Sequence, residues 1–542
     1  MDHGPVTQQP VEPSTAAPAS AEAAGASHRA QRTARLRVPA SWPLLIVLAV
    51  QAALSLRLIG ADTAFEDEAE YLWAGHLEWA HVLHGTPLPQ FPAYFSGAPV
   101  IYPPLGALAD SVGGLAAARI LSLVFMLGAT TALWATADRL FGRRAAFFAA
   151  ALFAVLGPTL HLGSFATYDA MSLFLVALAA WFVVRAGERQ DVTGWMIAAG
   201  AALALANATA YTSALFDIVV VLLALVTAFP KPGGKLAAAR PLTIVAIGAV
   251  LLTPALLIGG SRYLNGIGHT TVFRVSGTGS PLTVAGDAWS WTGVVVICAI
   301  CGVVISWISQ PRSAQTWLLT LLACAALLVP VEQASLHTTD SLNKHVDLGA
   351  WFAAIAAGYA VDRVIAAAPA GNMRVVTSSA CLVALAFPVA LGADQSRVFS
   401  TSWPNSSAFV AILGPLVDHG TGRLLVEDPS VAEYYLPAGS QWKRWSSTRN
   451  IVLPSGAPTG GPSGTEGVVG SGDAGTFATK IEAGYFSLIA LNFSDTTSLD
   501  QSIAADIHRN HHYQPVEVVP YGPGPAGPAP GTYVIWRYEP QR

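Results

Sequence analysis

WPLLIVLAVQAALSLRLIGADTAFEDEAEYLWAGHLEWAHVLHG, residues 42–85, sets an apolar run directly against a dense acidic stretch. The run Trp42–Ile59 has the length that a bilayer-crossing helix needs. Three carboxylates, Glu66, Asp67 and Glu68, follow within a few residues. After them Leu72, Trp73, His76, Trp79, Ala80 and Leu83 recur at helical spacing, with Glu70, Ala74, Glu78 and His81 on the other side. The pattern predicts a membrane span followed by an amphipathic helix that starts near Asp67 and lies at the membrane surface. Its polar face is acidic, so packing on the spans, and not attraction to anionic lipid, would hold it there.

The rest of the chain extends this reading. Of 542 residues, 53% are hydrophobic and 11% charged, with a mean hydropathy of +0.48. Soluble domains carry roughly a quarter charged residues, so this composition cannot cover a water-facing surface. A net charge of −4 and the lack of a basic, aromatic-laced patch give no reason to expect nucleic acid as a partner. Cys298, Cys301, Cys324 and Cys381 all lie in apolar runs, so the CxxC at 298–301 reads as helix packing and not as a redox or zinc motif. Arg outnumbers Lys and Ala is abundant, which points to a GC-rich bacterial genome. The sequons at Asn207, Asn405 and Asn492 then read as chance matches.

Further apolar runs lie near 112–137, 145–163, 167–184, 194–211, 213–229, 241–259, 289–308, 316–330, 346–366 and 374–392. With the first, they make about eleven expected transmembrane helices. Residues 1–38, rich in Ala, Pro and Ser, read as a disordered N-terminus that ends in Arg29, Arg32, Arg35 and Arg37. Loop charge orients the chain. Arg139, Arg143 and Arg144, then Arg185 and Arg189, then Lys231, Lys235 and Arg240, then Arg312, then Arg363 and Arg374 fall in alternate loops. The positive-inside rule therefore makes the N-terminus cytoplasmic and places the first long loop, 60–111, on the outer face of the plasma membrane. It also puts residues 393–542 outside. There Arg423–Val426, Ser487–Asn492 and Thr532–Tyr538 read as strands of a small α/β domain, interrupted by a flexible insertion at 454–476. The expected fold is thus a polytopic α-helical membrane protein, with its membrane domain at 39–392 and an extracytoplasmic α/β domain at 393–542.

Chemistry is expected on the outer face. Adjacent carboxylates beside an apolar interface repel one another and are partly desolvated, which favours a group able to take up a proton. The structural alternative is that Asp67 caps the helix, with Glu70 completing a capping box. Asp169 stands near the start of another membrane helix, where an ionisable side chain is costly and by default suggests function, with capping again the alternative. Ile101-Tyr102-Pro103-Pro104 closes the first loop and opens a helix. Arg262 with Tyr263, and His337, Lys344 and His345, supply outer-face cations suited to a phosphate headgroup, or alternatively to anchoring at the interface. His508, His511 and His512 lack metal-ligand spacing and read as a solvated patch. Asp67, Glu68 and Asp169 are a candidate but incomplete oxygen set for a divalent cation, Mg or Mn.

These residues carry a resemblance. Asp67-Glu68 after the first span, Tyr102-Pro103-Pro104-Leu105, Ala118-Arg119-Ile120-Leu121-Ser122, Leu140-Phe141-Gly142-Arg143-Arg144 and Ala166-Thr167-Tyr168-Asp169-Ala170 follow one another as in certain membrane glycosyltransferases. The chain resembles the GT-C superfamily of the protein O-mannosyltransferase and aminoarabinose-transferase type over roughly residues 42–392. The resemblance implies transfer of a sugar from a polyprenyl-phosphate carrier to a glycan, protein or lipid acceptor, with inversion and with membrane lipid as a partner. It implies Asp67 as general base, with Glu68 beside it, and Asp169 as the second acidic position. Tyr102 stands where the family often has a Lys, and Tyr168 flanks Asp169. By that departure Arg262 and Lys344 become the substitutes for holding the phosphate. Two other readings stay open: a transporter or flippase, against which the chain shows no obvious inverted repeat, and a scaffold presenting the C-terminal domain.

Overall fold

The computed structural model describes residues 42–540, apart from 94, 188–192, 229–233, 273, 275, 419–420, 449–450, 453–467, 470–473, 495 and 522–530. The segment 1–38, most of the insertion 454–476, and the loop charges Arg189 and Lys231 lie outside the described residues.

Helix α1 (Trp42–Leu56) leads through an irregular segment into α2 (Glu66–His84). Helix α3 (Tyr102–Phe141) then runs for 40 residues, opened by Pro103 and Pro104 and bent at Gly113–Gly114. The helix thus starts well before the apolar run expected from 112. The run 145–163 is divided between α4 (Arg143–Ala154) and α5 (Gly157–Leu162), because Pro158 fits the first turn of a new helix better than the interior of an old one. Next come α6 (Tyr168–Ala186), α7 (Thr193–Thr209), α8 (Asp217–Val226), α9 (Gly234–Thr270) and α10 (Pro281–Ser309). Then follow α11 (Ala314–Cys324), α12 (Leu328–Ser335), α13 (Leu342–Ala367), α14 (Asn372–Ala384) and α15 (Ala386–Phe399).

Among the described residues, seven helical stretches are long and apolar enough to cross a membrane, with α11–α12 and α14–α15 counted as one each. The expectation was about eleven. Three of the expected spans fold as the shorter helices Trp42–Leu56, Gly194–Thr209 and Tyr211–Val226, and the split run 145–163 accounts for the fourth. Helices α6 and α13 form the centre, each with 72% of its most apolar window buried, against 6% for α9. The Ala- and Gly-rich face of α13 allows this. A Cβ on Gly358 would stand 2.3 Å from Ala145 O of α4, and one on Gly302 of α10 would stand 2.5 Å from Ala356 O of α13. Small residues let backbones approach closely where lipid supplies no hydrophobic drive between helices.

The C-terminal region opens with α16 (Ser407–Asp418), β1 (Arg423–Val426), α17 (Ser430–Tyr435) and β2 (Trp445–Ser446). A two-stranded ribbon of β3 (Ile451–Val452) and β4 (Val468–Val469) precedes α18 (Ala474–Glu482), β5 (Phe486–Leu491) and α19 (Thr497–Arg509). The chain closes with β6 (Tyr513–Tyr521) and β7 (Gly531–Tyr538). The sheet order is β2-β1-β5-β7-β6, parallel across β2, β1 and β5 and antiparallel across β5, β7 and β6. Alternation along β1 sends Leu424 and Val426 to a layer with Phe409, Leu413 and Val417 of α16. Leu425 goes to the opposite layer, with Phe477, Ile481, Ile503 and Ile507 of α18 and α19. The three expected strands are therefore present. The edge strand β6, which contains Pro515 and Pro520, was not expected, because proline demotes a run that would otherwise read as a strand.

Helix α2 packs on α3 along one side and on α17 along another. Its buried residues accordingly include Glu68, Ala74 and Glu78 as well as Leu72 and Trp73, whereas Trp79 and Leu83 are exposed. The two-faced pattern read from spacing is corrected here by a second partner arriving from far along the chain.

Candidate active site

The first turns of α2, α6 and α13 meet at one end of the bundle. Asp67 stands in the first turn of α2, Asp169 in that of α6, and Lys344 and His345 in that of α13. The basic residues Arg139, Arg144, Arg185 and Arg363 lie towards the other ends of α3, α6 and α13 or at the start of α4, at the opposite end of the bundle. Each of the three helix starts directs the positive end of its dipole towards the cluster.

The Lys344 ammonium donates to Asp67 Oδ2. The two partners differ in exposure: the Lys344 side chain is 8% exposed and that of Asp67 26%. Lys344 also lies over the Phe165 ring, 5.7 Å from its centroid. Asp169 is buried. It accepts from Thr167 Oγ1 at 2.8 Å and lies 3.4 Å from His345 Nε2. His345 Nδ1 is buried with no hydrogen-bond partner among the described residues. Tyr71 and Tyr168 wall the cluster, with the Tyr71 hydroxyl donating to that of Tyr168 at 2.8 Å. Burial, and then the charge of Asp67, hold the Tyr71 phenol well above its ordinary pKa, so it stays a donor.

Glu68 takes a different place from the one expected of a catalytic acid. It is 0% exposed, and Arg119 grips it with Nε at 2.8 Å and Nη2 at 2.7 Å. Its oxygens also accept from Ala166 N at 2.8 Å and Phe65 N at 3.1 Å. All four acceptor positions are filled, which leaves none for a substrate hydroxyl. The Phe65 bond also corrects the expected cap. Helix α2 begins at Glu66 after Phe65, and Glu68, not Asp67 or Glu70, reaches back over its start.

Tyr102 is fully buried, beside Gly106. Arg262 and Tyr263 do not lie in a loop, because α9 continues to Thr270 through a kink at Gly260. Arg262 is exposed and makes no ion pair or hydrogen bond among the described residues. His337 is exposed in the turn before α13, with positive φ, and its carbonyl accepts from Gly279 N. Of the expected residues, the fold thus gathers Asp67, Asp169, Tyr168, Lys344 and His345. It leaves Arg262 and His337 at the surface and buries Glu68 and Tyr102.

Asp67, Glu68 and Asp169 are each committed to a different protein cation or donor, with Lys344 beside two of them. Such a set does not fit a hard-oxygen cage for Mg or Mn, and no group of three or more candidate ligands occurs among the described residues. The residue that spacing did not single out for a role is Arg119. Its signal was present, an arginine inside the otherwise uncharged run 112–137.

Residues 107–258 match the family described as Dolichyl-phosphate-mannose-protein mannosyltransferase. A search of curated proteins finds no match. Among solved structures, ArnT from Cupriavidus metallidurans bound to undecaprenyl phosphate is similar at a TM-score of 0.56 and 16% identity, over 93% of this chain and 100% of that one. The oligosaccharyltransferase AglB from Archaeoglobus fulgidus, in complex with an inhibitory peptide and a dolichol-phosphate, is similar at 0.53 and 13% identity, over 89% and 73%. The arabinofuranosyltransferase AftD from Mycobacteria is similar at 0.50 and 14% identity, over 92% and 42%. With its seven bilayer-length helices among the described residues and its C-terminal sheet region, the chain is a multi-pass membrane protein that shares the fold of these solved structures.

Proposed function

We propose that the protein transfers a sugar from a polyprenyl-phosphate carrier to an acceptor hydroxyl on the extracytoplasmic face of the plasma membrane, with inversion at the anomeric carbon. The observation that carries this reading is the pairing of one accessible carboxylate, Asp67, with one buried ammonium, Lys344, where three helix starts converge. Positive loop charge at the other end of the bundle supports an outward-facing site.

A sugar on a lipid phosphate already carries a good leaving group, so the demand falls on the acceptor. As the acceptor oxygen bonds to the anomeric carbon, its proton passes to Asp67 and the bond from that carbon to the phosphate oxygen breaks. The electron pair leaves with the phosphate, whose growing charge is met by Lys344 and by the positive ends of the helix dipoles. Asp169 holds His345 and, through its charge, Lys344 on the phosphate side. No step requires a covalent enzyme intermediate or a metal. The acceptor is a glycan, protein or lipid hydroxyl.

The reading is tested by reconstituting the full chain in liposomes with a panel of radiolabelled polyprenyl-phosphate sugars, with and without chelator. Label should pass from one donor class to acceptor, with chelator present or absent. Lipid that crosses the bilayer with its label still attached would favour a transporter and sink the proposal.

A further inference from the structure

We infer that the C-terminal region is a working part of the site: it trusses the segment Asp62–Phe65 and thereby sets where the Asp67 carboxylate stands, with Tyr435 and Trp403 as positioning residues. This rests on the reading of Asp67 as general base.

The segment between α1 and α2 contains no helix or strand to fix it. From the membrane side Arg119 donates to the carbonyls of Ile59 at 2.7 Å, Asp62 at 3.1 Å and Thr63 at 3.2 Å. The other half of its support comes from residues 340 to 371 positions downstream. Trp403 Nε1 donates to Thr63 O at 2.9 Å, and Ser406 N donates to Thr63 Oγ1 at 3.0 Å. Asn405 Nδ2 donates to Asp62 Oδ1 at 2.8 Å, and the Tyr435 hydroxyl accepts from Ala64 N at 2.8 Å. The Trp403 ring also packs on Phe65 and Phe165, with centroids 5.3 and 5.8 Å away. Phe165 is the ring over which Lys344 lies.

Asp62 and Thr63 are therefore held from both sides and Ala64 from the C-terminal side, and Asp67 follows within one helical turn. The same region pins α2 and its surroundings further along. Trp73 Nε1 donates to Gly439 O at 3.1 Å, the Tyr434 hydroxyl donates to Asp110 Oδ1 at 2.6 Å, and Trp442 Nε1 donates to Pro87 O at 3.0 Å. A general base must stand within hydrogen-bond reach of the proton it takes, and supporting contacts decide whether it does. A displacement of about 1 Å can lower turnover on the order of a hundredfold. The phosphate-facing groups Lys344 and Asp169 sit on α13 and α6, and make none of these contacts. Loss of the truss should therefore separate turnover from carrier binding.

The test uses the full chain in liposomes with Tyr435→Phe, which keeps the ring and removes only the hydroxyl, and Trp403→Phe, which removes the N–H and keeps a smaller aromatic ring. Hydrogen exchange over residues 60–70, turnover and binding of polyprenyl phosphate are measured together. The inference expects faster exchange in that segment, turnover lowered about tenfold or more, and carrier affinity within about twofold of wild type. Unchanged exchange, or turnover and carrier affinity falling in parallel, would overturn the truss. A wild-type chain that transfers sugar from no donor would instead overturn the functional reading, and the catalytic half of this inference with it.

Discussion

Asp67 and Glu68 are neighbours on one turn of α2, yet they occupy opposite settings. Glu68 is wholly buried, bidentate with Arg119 and saturated by two backbone N–H groups. Asp67 keeps about a quarter of its side chain exposed and is paired with one cation, Lys344. Burial with every lone pair filled makes a brace; exposure with one exchangeable partner leaves a carboxylate able to take a proton. The same three-residue acidic stretch thus supplies both a fixed knot and a reactive group, and only the partners distinguish them.

The contrast can be broken from either side. Asp67→Asn is expected to lower turnover roughly 10²–10⁴-fold while the thermal midpoint stays close to that of wild type. A large loss of stability in that variant would mean that Asp67 is a brace too. Arg119→Met should instead destabilise the fold, because it strands a buried carboxylate, at a cost of about 3–5 kcal/mol measurable by unfolding. Lys344→Gln is expected to weaken donor binding about tenfold, as loss of one charge-assisted bond should, with the fold retained. Unaltered donor KM would show that the phosphate is held elsewhere.

A smaller effect concerns Glu433 on α17, which packs against α2. Burial, and then the charges of Glu70 and Asp428, hold its carboxyl well above the ordinary range. The folded state thus keeps a proton that the unfolded chain releases. Its stabilising share is complete below the ordinary carboxylate pKa and is lost as pH rises through the folded value. The thermal midpoint of wild type should decline with rising pH more steeply than that of Glu433→Gln. Parallel curves would contradict this setting for Glu433.

Much of the architecture was legible because it depends on local length and spacing. The bilayer-length runs, the prolines that open α3, and strands β1, β5 and β7 all follow from short-range patterns. Asp67 stood out as one of three adjacent carboxylates beside an apolar face, Asp169 because a carboxylate at the start of a membrane helix is costly, and Lys344 and His345 because they are cations in a short loop before a span. What could not be read depends on distant partners. Nothing near Glu68 announces Arg119, 51 residues away, and nothing near Thr63 announces Trp403. The faces of α2 were misread for the same reason, since α17 covers a side that spacing left open. Arg262 was expected in a loop because the apolar run ends near 259, whereas α9 keeps its helix through a glycine kink to Thr270.

The proposed chemistry requires Lys344 to serve a carrier phosphate beside Asp67. A structure of the protein with a polyprenyl phosphate bound tests this most directly. The expected result is a phosphate oxygen on Lys344 Nζ near the starts of α6 and α13, with the Asp67 carboxylate released towards the acceptor side. A phosphate bound elsewhere, with the Lys344–Asp67 pair intact, would contradict it.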